Sequence, residues 1–459
     1  MVKVKPKTMD KSHLVVVGFS KLVSHKYLPC FAEAIEKGYI DSYSIIDIES
    51  QKEEIEQRIK HLELKPEKVF YIEDQRSGGV WADPEKFGPV FEELISRKGK
   101  IKVYIATEVK AHEEYLRYCI ENGIDSLTEK PIFAPMKNGE FNPSDIEPIM
   151  NYFVEKSKGG TAKHSIMTLS RYHKIYNFVT LDALKNKMVQ LEAPITSLHF
   201  RTAGGVWNLH KEYEEREDHP YKYGYGMLMH GAYHYVDLIT QFLDLNKIIF
   251  PNDTFTLTLS SFGAYPFDQN DRISKKISRD FCDDKPDFIS SKKYGETDIT
   301  TTFCLKNKST GKVITLGTIS LEQTTPSIRT WKDLPIDEYN KNGRISSVDL
   351  EVQLSVLHSV HVQCFDVPIE VNNKVEKIDA FARVTTRTNA SLLKDEKHNS
   401  EETFSGLFHS DSNRALLSAW LEGKENKSQI HKHIVPMKVI QAIAVSLENP
   451  GHPITFDYI

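Results

Sequence analysis

The chain has 459 residues, 40% hydrophobic and 27% charged, which is the composition of a globular protein and more length than one core usually serves, so two domains are expected. A net charge of -5 offers no basic field to a phosphate backbone, which argues against nucleic acid as a partner. No stretch reaches the roughly 20 apolar residues that span a bilayer, so no membrane association is expected. The five cysteines form no C-x-x-C pair, so neither a disulfide frame nor a cysteine zinc site is expected, and a reducing cytoplasm is the simplest home.

The first element in the chain is the β-branched run "HLVVVGF", residues 13 to 19, which ends in Gly18 and is followed by a helical pattern through "HKYLPCFAEAIEKGYI". A second apolar run, "SYSIIDIES", carries Asp47. Strand, glycine turn, helix, and second strand ending in a carboxylate form the layout of a dinucleotide-binding βαβ unit. There the turn presents backbone N–H groups to a pyrophosphate and the acid accepts from ribose hydroxyls. An acid in that place favours NAD over NADP, because it repels a 2'-phosphate. The glycine fingerprint is incomplete: Ser20 and Val23 stand at its second and third positions, and valine there is expected to push the helix off the strand.

Further runs, "KVFYIED" and "IKVYIAT", read as buried strands, and "AHEEYLRYCIENGID" reads as an amphipathic helix capped at Asn122 and Gly123. Alternating strands and helices argue for a parallel sheet covered on both faces, whose ligands bind beyond the carboxyl ends of the strands. Gly18, Asp47, Thr107 and the segment after Leu127 then share one rim. The strand "SLT" leads into Glu129, Lys130 and Pro131, where a lysine can aim its ammonium at that rim; a solvated surface pair is the plain alternative.

After "SRYHKIYNFV", with Arg171 and Tyr172, and "HFRTAGGVW", a charged, tyrosine-rich stretch at 210 to 226 precedes "GYGMLMHGAYHYVDLI". This places His230, His234 and Asp237 at helical spacing on one side of a helix. Such a pair of histidines suits zinc, but Gly231 stands where a metalloprotease would carry its glutamate and no distant ligand cluster is evident, so no metal is expected. A neutral imidazole can instead take a hydroxyl proton near pH 7, and a nearby ammonium can stabilise the alkoxide. From about residue 160 the pattern turns to long strands, "TFTLTLSSF", "DITTTFCLKN", "KVITLGTISLEQ", "SVLHSVHVQCF" and "IDAFARVTTRT", which suggest an open antiparallel sheet. Two polar stretches, around "DQNDRISKKISRDFCDDKPDFISSKKYGE" and "SIRTWKDLPIDEYNKNGRISS", read as long loops or insertions.

Taken together, "VVVGF", "IIDIE", "IATEVKAH", "TEKPIF", the arginine segment, the H-x-x-D stretch and the C-terminal "VPMKVIQAIAVSLENPGHPITFDY" resemble the Gfo/Idh/MocA family of NAD(P)-dependent oxidoreductases. The resemblance implies a Rossmann-type α/β domain over residues 1–160 and an α+β domain with an open, mostly antiparallel sheet over 161–459. It implies hydride transfer between NAD, or NADP, and a hydroxyl or keto group of a sugar, cyclitol or related polyol, in a homodimer or homotetramer. It further implies cofactor contacts from Gly18, Ser20, Asp47, Thr107, Glu129 and Lys130. Lys130 polarises the substrate oxygen, His234 exchanges its proton, and Arg171, His230 and Asp237 contact substrate. The family's counterpart of His112 lies near cofactor or substrate. Where many members carry aspartate, this chain has His230, read as a substrate contact or second proton carrier. Two other readings stay open: a non-catalytic ligand-sensing or partner-binding relative, and a glycoside-cleaving member that retains its NAD.

Overall fold

The computed structural model describes residues 11–74, 81–204, 208, 213–214, 216–217, 219–272, 294–323, 347–371, 374–394 and 396–458. It divides into two compact units, the first made of Met1–Asn138, Pro148–Thr168 and Asn413–Lys432, the second of Gly139–Glu147, Leu169–Ser412 and His433–Ile459.

In the first unit six strands pair in parallel: β1 (Ser12–Val17), β2 (Ile40–Ile48), β3 (Val69–Ile72), β4 (Ile101–Ile105), β5 (Asp125–Glu129) and β6 (His164–Met167). Their order is β3-β2-β1-β4-β5-β6, so the connections reverse direction at β1 and open a crevice at its carboxyl end. All six residues of β1 and all five of β4 are buried, as central strands between two helical layers must be. The helix after β1 runs to Glu36 and is wound wider than an α-helix over Val23–Tyr27, where Leu28 N–H reaches back to Val23 O. Pro29 follows directly and has no N–H to give, a common cause of such a widened turn. The helix His112–Glu121 ends at Asn122 with Gly123 at φ +63°, in agreement with the expected cap.

The second unit is built on nine strands: β7 (Ile195–Thr202), β8 (Phe255–Ala264), β9 (Asp298–Asn307), β10 (Val313–Glu322), β11 (Ser347–Leu354), β12 (His358–Val371), β13 (Lys374–Thr388), β14 (Asn399–Phe404) and β15 (Ile454–Asp457). Their order is β14-β13-β12-β11-β7-β10-β9-β8-β15, antiparallel except for the pair β7–β10. Burial alternates along β8, β9, β10 and β11, so one face packs inward and the other stays open, with Phe262 and Leu316 exposed. The inward face meets the helices Tyr233–Asp244 and Ile434–Glu448; Ser446 Oγ accepts from Ser261 N–H, and Tyr458 OH donates to Thr240 O.

The run "SVLHSVHVQCF", residues 355 to 365, is not strand throughout: Ser355, Val356 and Leu357 form a turn with Ser355 at φ +48°, and β12 starts at His358. Strand β14 escapes the apolar pattern altogether because five of its six side chains are exposed. Most of both polar stretches, 273–293 and 324–346, lies outside the described residues. No described helix is long and apolar enough to cross a membrane.

Candidate active site

At the rim of the parallel sheet, Gly18 has φ +84°, and a Cβ there would stand 2.8 Å from Ala106 O and 2.9 Å from Thr107 Cα, so only glycine fits between the ends of β1 and β4. The next N–H, of Phe19, donates to Asp47 Oδ2 at 2.7 Å, and Asp47 Oδ1 accepts from Ile48 N–H at 2.8 Å. Asp47 therefore shapes the glycine turn. Burial pushes its carboxyl upward, opposed by the two N–H groups and by Arg58, which also donates to Phe19 O. Each carboxylate oxygen uses one of its two lone pairs in these bonds, which leaves capacity for a ribose hydroxyl. Ser20 is exposed at the start of the helix, and the buried Val23 lies within its widened turn.

Thr107 and the Glu129–Pro131 segment are joined by His112, a buried residue at the start of its helix. His112 Nδ1 lies 2.9 Å from Pro131 O and Nε2 lies 3.0 Å from Thr107 O. Burial pushes this imidazole down to about 4, so at neutral pH it carries a single N–H and donates to one of the two carbonyls at a time. Glu129 accepts from Tyr104 OH at 2.7 Å, and burial raises its carboxyl despite that bond and the neighbouring charge of Lys130. The Lys130–Pro131 peptide is cis, and Lys130 is half-buried.

In the second unit the turn ahead of Tyr233 is fixed by a close backbone crossing. Gly226 and Gly295 face each other so tightly that a Cβ on either would collide with the other segment's backbone at about the length of a bond and a half, 2.1 Å to Glu296 O and 2.0 Å to Tyr225 C. Met227 N–H donates to Glu296 O, and Leu228 N–H donates to Glu296 Oε1, both at 2.8 Å. Burial raises the Glu296 carboxyl to about 7.

The helix begins at Tyr233, which corrects the expectation that His230, His234 and Asp237 share it. His230 N–H bonds to Gly226 O, four residues back, and Ala232 N–H to Met227 O, five residues back, so the chain turns with uneven pitch before the regular helix begins. His230 is buried among the ring edges of His219, Tyr221 and Tyr225, with centroids 5.0, 4.9 and 5.6 Å away.

His234 Nδ1 accepts from Leu169 N–H at 3.3 Å. Asp237, fully buried, takes both Nε (3.1 Å) and Nη2 (2.6 Å) of Arg171, Ser170 Oγ at 2.8 Å and Gln241 Nε2 at 3.0 Å. His433 Nδ1 lies 3.4 Å from the same carboxylate and 2.9 Å from Tyr233 OH. Arg171 and Asp237, both expected to meet substrate, are thus held against each other, and their visible work is to fix the Leu169–Arg171 turn beside His234. Ser170, Glu296 and His433 did not stand out in the sequence. His433 opens a helix 200 residues from Tyr233, and no local spacing announces such a pair. Among the described residues no three histidine, cysteine or acidic groups converge as metal ligands.

No family model and no curated protein matches the chain by sequence. Solved structures do match over nearly its whole length. The dehydrogenase WlbA of Bordetella pertussis, solved with NADH and UDP-GlcNAcA, is 11% identical with a TM-score of 0.54, covering 97% of this chain and 99% of its own. An oxidoreductase of Agrobacterium radiobacter, solved with NAD+, L-tartaric acid and magnesium, is 11% identical with a TM-score of 0.53 and 98% coverage of each chain. The aldose-aldose oxidoreductase of Caulobacter crescentus, solved with glycerol, is 12% identical with a TM-score of 0.54, covering 97% and 100%. The chain has the fold of Gfo/Idh/MocA-type oxidoreductases, a parallel-sheet α/β unit followed by a larger, mostly antiparallel sheet.

Proposed function

We propose that this protein is an NAD(P)-dependent oxidoreductase acting on a hydroxyl or keto group of a sugar, cyclitol or related polyol. The observation that carries the reading is the rim of the parallel sheet. Gly18, Asp47 and Lys130 stand at the carboxyl ends of β1, β2 and β5, around the strand where the sheet order reverses. Gly18 lets the chain turn from the end of β1 into the N-terminus of the following helix, where a pyrophosphate is received, and Asp47 retains acceptor capacity for a ribose. When bound, the dinucleotide supplies or accepts the hydride. NAD is the expected partner, since Asp47 repels a 2'-phosphate.

The roles of this chain's residues follow from their settings. His112 ties the Thr107 loop to Pro131 and so orients Lys130, whose ammonium offsets the charge that develops on the reacting oxygen. His234, positioned by Leu169 and the Asp237–Arg171 pair, exchanges the proton of the substrate hydroxyl. His230 borders the substrate with the tyrosines around it. The solved relatives with UDP-GlcNAcA and with an aldose-aldose activity support a polyhydroxylated substrate. Assembly into a homodimer or homotetramer through the open sheet face, and residence in the cytoplasm, belong to the same proposal.

The test is turnover of a panel of keto sugars with NADH, and of polyols with NAD+, read by nicotinamide absorbance with Lys130→Ala as control. Oxidation of NADH that disappears in the variant supports the reading. Turnover that survives Lys130→Ala, or none with any member of the panel, counts against it.

A further inference from the structure

The turn after β1 is where the sequence departs from the dinucleotide fingerprint, and its surroundings supply a replacement. Val23, at the third glycine position, is fully buried inside the turn that is wound wide over Val23–Tyr27, so the helix takes in this side chain by its winding. Ser20, at the second position, follows a peptide whose carbonyl is held from outside the turn. Phe19 O accepts from Arg58 Nη1, 39 residues further along the chain, while Phe19 N–H donates to Asp47 Oδ2. Both backbone groups of Phe19 are thus tied to side chains, one from the helix Lys52–Lys60 and one from β2.

Arg58 is itself built in. Its side chain is only 12% exposed, and Nη2 lies 2.5 Å from Glu54 Oε1, one turn earlier on the same helix. Lys65 closes the end of that helix by donating to Ile59 O and Lys60 O, and Ile55 anchors its buried side. A guanidinium stays charged across the whole range in which proteins fold, so its bond to the Phe19 carbonyl is charge-assisted and does not depend on pH.

The consequence follows from the planarity of the peptide. The C=O and N–H of one trans peptide point in opposite directions, so a Phe19 carbonyl drawn toward the helix Lys52–Lys60 turns the Ser20 N–H away from it. Ser20 is exposed at the start of the helix that runs to Glu36, where the first N–H groups have no intrahelical partner and attract an anion. In the usual fingerprint the second glycine serves this place by letting the backbone approach the pyrophosphate. We infer that Arg58 is a positioning residue for the dinucleotide: by holding the Phe19 carbonyl it aims the Ser20 N–H at the pyrophosphate and so replaces the missing second glycine. This rests on the oxidoreductase reading. Arg58 acts through the turn and is assigned no contact with the cofactor itself.

The test uses the full-length protein with Arg58→Ala, Arg58→Lys and Glu54→Gln. In calorimetric titrations with NADH and with ADP, Arg58→Ala should bind both about tenfold or more weakly. Arg58→Lys keeps an N–H for the Phe19 carbonyl and should stay within about threefold of wild type, as should Glu54→Gln, which touches only the outer side of the guanidinium. With the keto sugar turned over fastest, Arg58→Ala should raise KM for NADH by the same factor as the binding loss, with kcat and KM for the sugar within about threefold. Equal rises in both KM values, or a loss that lysine does not restore, would make the role structural alone and overturn the inference. A loss larger for NADPH than for NADH would make Arg58 a ligand of the 2'-phosphate and overturn it as well. One arm needs no cofactor: hydrogen exchange of peptides covering residues 18–24, read by mass spectrometry, should quicken about tenfold in Arg58→Ala. Unchanged exchange refutes the inference whether or not a dinucleotide binds. Quickened exchange in a protein whose wild-type form binds neither NADH nor NADPH would instead strike the oxidoreductase reading and leave the hold of Arg58 on the turn standing.

Discussion

At the rim of the first unit, polar side chains are held mainly by backbone. Asp47 accepts from two main-chain N–H groups, His112 meets two carbonyls, and Gly18 works by having no side chain at all. In the second unit the polar centre is held by other side chains. Asp237 is fixed by Arg171, Ser170, Gln241 and His433, drawn from three separate stretches of chain. The difference teaches where each region is vulnerable. A rim made of backbone fails through shape and disturbs binding, whereas a network of buried charge fails through electrostatics and disturbs folding.

The largest effect should follow removal of one charge from that network. Asp237→Ala leaves the Arg171 guanidinium buried without its carboxylate, at a cost of about 3–5 kcal/mol, read as denaturant midpoint. Asp237→Leu combined with Arg171→Met should recover most of that loss. A double variant as unstable as the single would mean that the charge pair is not what holds the turn. Next comes Gly18→Ala. A left-handed backbone and a methyl against Ala106 together should cost about 2–3 kcal/mol and eliminate dinucleotide binding. Retained affinity would show that the glycine turn is not the binding element.

The two regions should also differ in their response to pH. His112 and His164, pushed by burial to about 4, lie in the first unit, and His173, pushed to about 3, lies in the second. With folded values below the unfolded 6.5, their contribution is complete above about pH 6.5 and is lost as pH falls through about 4. Glu296 acts in the opposite sense. Its folded value near 7 exceeds the unfolded 4.5, so its contribution is present below about pH 4.5 and is lost as pH rises through about 7. Glu296→Gln should therefore raise the melting temperature at pH 8, by about 1–3 kcal/mol in stability, and change little at pH 4.5. A gain that did not depend on pH would show that the carboxyl is not held in its neutral form. The smallest effect is expected of Ser170→Ala, which removes one of several donors to Asp237 and should cost about 1 kcal/mol.

The same contrast explains what was legible in the sequence. The rim was readable because its parts are local: a β-branched run ending in glycine, an acid closing the next strand, and E-K-P at the end of a short strand each carry their own spacing. The long strands β8, β9 and β10 were readable for the same reason, through alternation. Strand β14, polar along its length, gave no period, and β11 follows a polar stretch with nothing to mark its start. His234 and Asp237 could be found as a pair three residues apart, but not the direction in which each faces. Arg171 was seen as a ligand group because a sequence does not show which carboxylate takes its charge. Glu296 and His433 reach their places only through the tertiary fold, and the helix spacing assigned to His230 failed because the chain turns irregularly from Gly226, which passes against Glu296, to the helix start at Tyr233.

The measurement that bears most directly on the oxidoreductase reading is calorimetric titration of the purified protein with NADH and NADPH, alongside Gly18→Ala, after bound nucleotide released by denaturation has been assayed. The rim predicts micromolar binding of NADH, a free energy of about -8 kcal/mol, weaker binding of NADPH because of Asp47, and none in the variant. Absence of both binding and copurified dinucleotide in the wild-type protein would contradict it, and would leave a dehydrogenase fold that has lost its cofactor.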